Sequence, residues 1–166
     1  MGMRWLMVCL ISIAVMGSAW GAPPTELTGL AYARDGDDLV IDGTRIRLHG
    51  IDAFERSQTC TKDGTAWPCG MEAWRTLQEL VAGRQVRCVL AQTSETRGRP
   101  VMRCYTGDLE LNAEMVRLGL AVDCVRFSKG RYAAIEQEAR AARRGAWAGT
   151  FVQPDASKGQ NYCAPR

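Results

Sequence analysis

The dipeptide Asp42-Gly43, set between two runs of β-type residues, is the feature that most constrains the fold of this chain. Residues 39–41 and 44–51 flank it, and an Asp-Gly pair in such a place is a strong signal for a two-residue hairpin turn. A turn of defined length fixes the register of its strands. The sequence therefore predicts a tight hairpin in which Asp37 lies opposite Leu48.

The remaining pattern predicts an α+β fold built mainly on a β barrel. A β-type run at 27–33 precedes the hairpin, and runs at 86–91 and 101–105 form a second hairpin. Five short strands in an open sheet would leave exposed edges, so a closed or half-closed barrel is expected. Apolar residues at helical spacing, each run ended by a glycine, predict three helices at 71–81, 112–118 (capped by Asn112) and 132–144.

Residues 1–21 have the features of a secretory signal peptide. Arg4 gives a basic start, an apolar run follows, and small residues suited to cleavage end the segment. A membrane anchor is the alternative, but the run is shorter than the roughly 20 residues that span a bilayer. We therefore expect a periplasmic or secreted protein without stable membrane insertion, with one domain at 22–152 and an irregular C-terminal tail at 153–166.

Six cysteines remain once the segment that holds Cys9 is removed. An even number in a small exported chain indicates disulfide bonds. A zinc site is the alternative, but the chain has one histidine and no C-x-x-C pair. Position along the chain favours three bridges, the last of which would attach the tail: Cys60–Cys69, Cys88–Cys104 and Cys124–Cys163.

The net charge excludes one class of protein. Removal of residues 1–21 takes Arg4 from the 21 basic residues and none of the 18 acidic ones, so the mature chain carries a net charge of only +2. A protein that binds nucleic acid purely by neutralising phosphates is usually far more basic. An anionic partner must therefore be bound locally, by particular side chains.

The first hairpin and the segment after it are rich in aspartate. In flat strands Asp37 and Asp52 would lie roughly 13 Å apart, but Gly36 and Gly50 allow a bulge or sharp bend that would bring them together. Two such carboxylates repel each other, and oxygen-only ligands favour a hard ion, calcium or magnesium. The simpler alternative, a role in turns, is preferred for Asp35, Asp38 and Asp42.

Three motifs in a fixed order give a more specific identification. D-G-D-D-L-V-I-D-G-T-R-I-R-L-H-G-I-D-A-F-E at 35–55 is followed by R-G-R at 97–99 and by L-N-A-E-M-V-R-L-G-L-A at 111–121. Together they resemble the staphylococcal nuclease (thermonuclease-like) family over residues 28–149. The resemblance implies an OB-fold, a five-stranded barrel with three helices, in an exported bacterial member.

The resemblance also implies a calcium-dependent nuclease of DNA, RNA or both, and we expect the protein to be a monomer. Phosphodiester hydrolysis concentrates negative charge on the phosphoryl oxygens, so a divalent cation and planar guanidinium groups directed at them lower the barrier. The implied roles are a Ca²⁺ site at Asp37, Asp52 and the backbone carbonyl of Ala53, a general base at Glu55, and phosphate-binding arginines at Arg47 and Arg99.

The chain departs from the family pattern at positions that bear on activity. Phe54 stands where a proline usually precedes the glutamate, so the loop that carries Glu55 lacks that rigid residue. Arg97, Val125 and Phe127 replace tyrosines that contact the nucleotide in the best-known member. The competing hypothesis is a non-catalytic OB-fold module that binds an anionic polymer or an envelope component.

Overall fold

The computed structural model describes residues 24–96, 98–157, 159–160 and 162–163, and of residues 92–96 it describes the backbone alone. The expected signal peptide at 1–21 lies outside the described residues. In chain order the elements are β1 (Glu26–Asp35), β2 (Asp38–Ile41), β3 (Thr44–Leu48), β4 (Ile51–Ala53), β5 (Cys60–Lys62), β6 (Thr65–Trp67), α1 (Cys69–Val81), β7 (Gln85–Thr96), β8 (Arg99–Thr106), β9 (Leu109–Glu110), α2 (Leu111–Arg117), β10 (Ala121–Asp123), α3 (Val125–Ser128), α4 (Ala133–Ala141), a 3-10 turn (Gly145–Ala148), β11 (Gly149–Thr150) and α5 (Pro154–Ser157).

Five of these strands close a barrel. β1 pairs with β2 and β7, β2 pairs with β3, and β7 pairs with β8, all antiparallel. The ring closes where β8 runs parallel to β3. Leu39, Ile46, Leu48 and Met102 are buried in the shared core, against which α1 and α2 also pack. The prediction of a five-stranded, OB-fold-like barrel within an α+β fold is confirmed.

The first hairpin has the predicted turn and register. Asp42 and Gly43 have φ angles of 47° and 78°, the left-handed values that a tight hairpin turn requires. Asp38 pairs with Arg47, and the Leu48 N–H donates to the Asp37 carbonyl at 2.9 Å. Asp37 therefore lies opposite Leu48, at the open end of the hairpin.

The bend predicted near Gly50 is a complete break between two strands. β3 ends at Leu48, and the chain turns through His49 and Gly50 before β4 begins at Ile51. Gly50 has a φ of 74°, and a Cβ there would lie 2.9 Å from the Cβ of Ser128, so other residues fit poorly. β4 leaves the barrel and pairs with β10. The break carries Asp52 off the line of β3.

The three predicted helices are present as α1, α2 and α4. The structure adds two helices of four residues each, α3 and α5, together with the 3-10 turn. α5 gives one helical turn to the tail that was expected to be irregular. None of the helices in the described part of the chain is long and apolar enough to cross a membrane.

The sequence predicted that Asn112 caps α2, but this is wrong. Asn112 instead joins α2 to the barrel. Its side chain is fully buried in the first turn of α2. The amide Nδ2 donates to the carbonyl of His49 at 3.0 Å, and Oδ1 accepts from the N–H of Cys104 at 3.0 Å. Asn112 therefore holds the turn between β3 and β4 against β8.

The three disulfide bridges are those that the sequence positions predicted. The Cα–Cα distances are 5.6 Å for Cys60–Cys69, 4.0 Å for Cys88–Cys104 and 4.4 Å for Cys124–Cys163. The first encloses β5 and β6, which form a small sheet with β11 that the sequence did not reveal. The second joins directly paired positions of β7 and β8.

We expect Asn112→Leu to lower the free energy of unfolding by about 2–4 kcal/mol, because it leaves buried backbone groups of β8 and the His49 turn without their partner. Chemical denaturation of the oxidised protein measures this loss. Gln85→Leu makes the same polar-to-apolar change at an exposed position of β7 and should change stability by less than about 0.5 kcal/mol. Similar losses in both variants would contradict the role assigned to Asn112.

Candidate active site

A cavity of about 360 Å³ opens where the end of the first hairpin meets β8 and the C-terminal tail. Four of the residues expected at the site, Asp37, Arg47, Glu55 and Arg99, line it. Asp52 is fully buried beneath the cavity, and an ion pair with Arg47 connects it to these four residues. The fold therefore gathers at one place residues from β3, β4 and β8, from the turn between β1 and β2, and from the loop after β4.

Arg47 joins the two aspartates. Its Nη1 lies 2.8 Å from Asp37 Oδ1, and its Nη2 lies 2.7 Å from Asp52 Oδ1. Burial by itself would lower the pKa of the Arg47 guanidinium, but the charges of Asp37 and Asp52 raise it above its ordinary value. One guanidinium thus spans both carboxylates, and the two aspartates that flat strands would separate come together.

Ala53 fixes the second oxygen of Asp37. The N–H of Ala53 donates to Asp37 Oδ2 at 3.0 Å, in buried surroundings. Gly36 makes this approach possible, since a Cβ there would lie 2.7 Å from the Cβ of Ala53. Ala53, whose carbonyl is an expected metal ligand, is therefore held directly beside Asp37, an expected carboxylate ligand.

Asp38 is a buried strand residue, so the expectation that it serves in a turn was wrong. It accepts hydrogen bonds from Arg45 Nε and from Arg99 Nη1, and only 1% of its surface is exposed. Asp38 therefore holds Arg99, from the start of β8, at the wall of the cavity. The hairpin register could have shown this, because it places Asp38 in β2 opposite Arg47.

Asp42 has the expected turn role, and Asp35, the last residue of β1, stabilises the turn at Gly36 through its side chain. Asp35 accepts from the N–H of Gly36 at 2.9 Å, and Asp42 occupies the hairpin turn. Burial raises the pKa of the Asp35 carboxyl above its ordinary value, although the Gly36 hydrogen bond partly opposes this shift, and the nearby charge of Glu55 adds to the rise.

The loop that carries Glu55 is held without a proline. Phe54 is fully buried and packs edge-to-face on Phe151, with 5.1 Å between ring centroids. The carbonyl of Glu55 accepts from the N–H of Gln58 at 2.7 Å. A Cβ at Gly70 would lie 1.6 Å from that carbonyl oxygen, so only glycine permits the contact. Burial and close backbone packing thus position Glu55.

Tyr162 is a site residue that sequence reasoning missed. Its hydroxyl donates to Asp52 Oδ1 at 2.8 Å, and its ring lies 6.4 Å from that of Phe127, with which it lines the cavity. Asp52 and Tyr162 are 110 residues apart, and no local pattern links them. The predicted Cys124–Cys163 bridge was the available signal, since it ties the residue next to Tyr162 to the end of β10.

Three residues stand where the best-known family member has tyrosines that contact the nucleotide. Phe127 lines the cavity, Val125 begins α3, and Arg97 lies outside the described residues.

The donor set fits a hard cation. Asp37 and Asp52 offer carboxylate oxygens that already share one positive group, and soft ligands are not part of the arrangement. Within the described ranges, no group of three or more histidine, cysteine, aspartate or glutamate side chains could hold a metal by itself. Ca²⁺ takes six to eight oxygen ligands, so a backbone carbonyl and water would have to complete the shell.

We expect Arg47→Met to lower the free energy of unfolding by about 3–5 kcal/mol at pH 7, because it removes the cation that joins two buried carboxylates. Chemical denaturation at pH 7 measures this loss.

Arg45→Met is the matched control for this substitution. The Arg45 side chain is half-exposed, and Asp38 keeps its contact with Arg99 when Arg45 is removed. The expected loss is at most about 1 kcal/mol. Equal losses at the two positions would show that Arg47 is no more than a surface ion-pair residue.

Among known proteins, the chain is similar to one named for polysaccharide (succinoglycan) biosynthesis and to others named as probable nucleases. The chain is 33% identical over 147 residues to the succinoglycan biosynthesis protein ExoI of Rhizobium meliloti, covering 87% of this chain and 75% of that one. It is 32% identical over 113 residues to the probable staphylococcal-like nuclease CAN2 of Oryza sativa, covering 68% and 28%. The probable endonuclease LCL3 of Clavispora lusitaniae is 34% identical over 112 residues, covering 61% and 47%.

The match to a family model agrees with the geometry. Residues 45–149, which run from the second strand of the hairpin to β11, match the model described as staphylococcal nuclease homologue. The match includes four of the charged residues that line the cavity, Arg45, Arg47, Glu55 and Arg99. On its fold, its site and this match, the chain belongs to the staphylococcal nuclease homologue family.

Proposed function

We propose that the protein is an exported, calcium-dependent nuclease that hydrolyses phosphodiester bonds in DNA, RNA or both. The observation that carries this proposal is the convergence of Asp37, Arg47 and Glu55 at one cavity, with Asp52 joined to them through Arg47. Relatives named as a probable staphylococcal-like nuclease and a probable endonuclease support it. A binding module would have no use for a carboxylate base beside a pair of metal-binding carboxylates.

Two arginines are suited to bind the scissile phosphate. Arg47 and Arg99 present planar guanidinium groups at the cavity, and such groups match phosphate oxygens with parallel N–H donors. Asp38 orients Arg99 through a charge-assisted hydrogen bond. These donors would meet the negative charge that grows on the phosphoryl oxygens as the new bond forms.

Glu55 is the candidate general base. Its side chain lines the cavity, and Phe54 and Gly70 hold its backbone in place. A carboxylate there can take a proton from water as the water oxygen bonds to phosphorus and one ester bond breaks. Asp37, Asp52 and the Ala53 carbonyl would hold Ca²⁺, which when bound supplies positive charge against the phosphoryl oxygens.

Three disulfide bridges support an exported location. Bridges of this kind persist in the periplasm or outside the cell and are rare in reducing compartments. They accompany the signal-peptide pattern at residues 1–21. The nuclease would therefore meet nucleic acid outside the cytoplasm.

A second candidate function follows from the name of one relative. The protein that shares 33% identity and spans most of this chain is named for succinoglycan biosynthesis. This favours, as the alternative, a non-catalytic module that binds an anionic polymer or an envelope component. The two functions differ in whether they need the carboxylate of Glu55.

Incubation of the oxidised mature protein with labelled single-stranded DNA or RNA, with calcium and then with excess chelator, tests the nuclease directly. We expect cleavage that requires calcium and stops when the chelator removes it. Failure to cut either polymer at any calcium concentration would refute the proposed nuclease function. The non-catalytic binding module would then be the remaining candidate.

We expect Glu55→Gln to reduce kcat by about two to four orders of magnitude with little change in substrate affinity, because the amide cannot accept the proton of the attacking water. Glu79→Gln makes the same change at an exposed position of α1 and should leave kcat unaltered. Steady-state cleavage of a fluorogenic oligonucleotide measures both. An unchanged kcat in the Glu55 variant would contradict the assigned role.

A further inference from the structure

The C-terminal tail is fastened to the body of the protein at several points close to the cavity. Cys163 is bonded to Cys124, at the end of β10. The N–H of Cys163 donates to buried Asp155 Oδ2 at 3.0 Å, and its carbonyl accepts from the N–H of Arg126 at 3.2 Å. The residue before Cys163 is therefore held in a defined place.

That residue is Tyr162, and its hydroxyl is hydrogen-bonded to Asp52, a candidate metal ligand. Tyr162 Oη donates to Asp52 Oδ1 at 2.8 Å, and Arg47 Nη2 lies 2.7 Å from the same oxygen. Asp52 has none of its surface exposed, so this contact is buried at the Asp52 end. Two donors from distant parts of the chain thus set the orientation of one carboxylate.

The two donors have different parts in the proposed reaction. Arg47 is needed at the phosphate, and a guanidinium that turns to the substrate gives up its hold on Asp52. Tyr162 reaches Asp52 from the C-terminal tail, and the bridge and Asp155 keep the backbone beside it in place. It can therefore orient Asp52 throughout the reaction. Hydrogen bonds of this kind to a ligating carboxylate typically change metal affinity by about 10–100-fold.

We propose that Tyr162 is a positioning residue, which the disulfide-fastened tail supplies to orient the Asp52 carboxylate for calcium binding. This inference rests on the proposed function, because it assumes that Asp52 binds the ion. It extends the site beyond the barrel, to a tail that lies outside the segment that matches the family model. Tyr162 acts through Asp52 and takes no part in the bond changes at phosphorus.

Tyr162→Phe tests the inference, because it removes one oxygen and leaves the ring and the Cys124–Cys163 bridge in place. Calorimetric titration of the oxidised full-length mature protein with CaCl₂ should show affinity at least about tenfold weaker than that of wild type. The calcium concentration for half-maximal cleavage should rise by the same factor, and saturating calcium should restore most of kcat. Tyr32→Phe is the control, at a residue of β1 that is 54% exposed, and it should change neither value.

Wild-type calcium affinity in Tyr162→Phe, with nuclease activity intact, would overturn this inference alone. A calcium affinity that falls equally in Tyr32→Phe would also overturn it, because the effect would then not be specific to the tail. A wild-type protein that neither binds calcium nor cuts nucleic acid would refute the proposed function itself, and the inference with it. The calorimetric readout keeps these outcomes distinct.

Discussion

The ion pairs from Arg47 to Asp37 and Asp52 are the interaction on which the site depends. Two buried carboxylates repel each other, and they persist side by side because one guanidinium forms an ion pair with each and offsets their repulsion. Three backbone features make the arrangement possible: the register of the hairpin, the break at Gly50 and the missing side chain at Gly36. The same concentration of charge that makes the site costly to fold suits it to a hard cation and a phosphate ester.

The barrel could be predicted from the sequence because its signals are local. Asp42-Gly43 set the turn type, and the turn set the register of the strands that hold Asp37 and Arg47. The sheet of β5, β6 and β11 could not be predicted, since its strands have only two or three residues and β11 pairs with β5 across more than 80 positions. Such short strands form through tertiary contacts and carry little periodicity of their own.

The site was predictable where a motif held its residues together and was missed where folding brought distant ones close. Asp37, Arg47 and Glu55 lie within 19 residues of one another. Asp38 was misjudged because aspartate near glycine is common in turns, although the register already placed it in a strand. Phe54 in place of a proline suggested a loose loop, but burial against Phe151 provides the rigidity instead.

A crystal structure of the mature protein with Ca²⁺ and an uncleavable phosphorothioate oligonucleotide tests the central claim most directly. The account predicts a calcium ion bound by both Asp37 and Asp52, with the Arg47 guanidinium turned away from them to a phosphate oxygen. A calcium ion bound elsewhere, with Arg47 still joining the two aspartates, would contradict it.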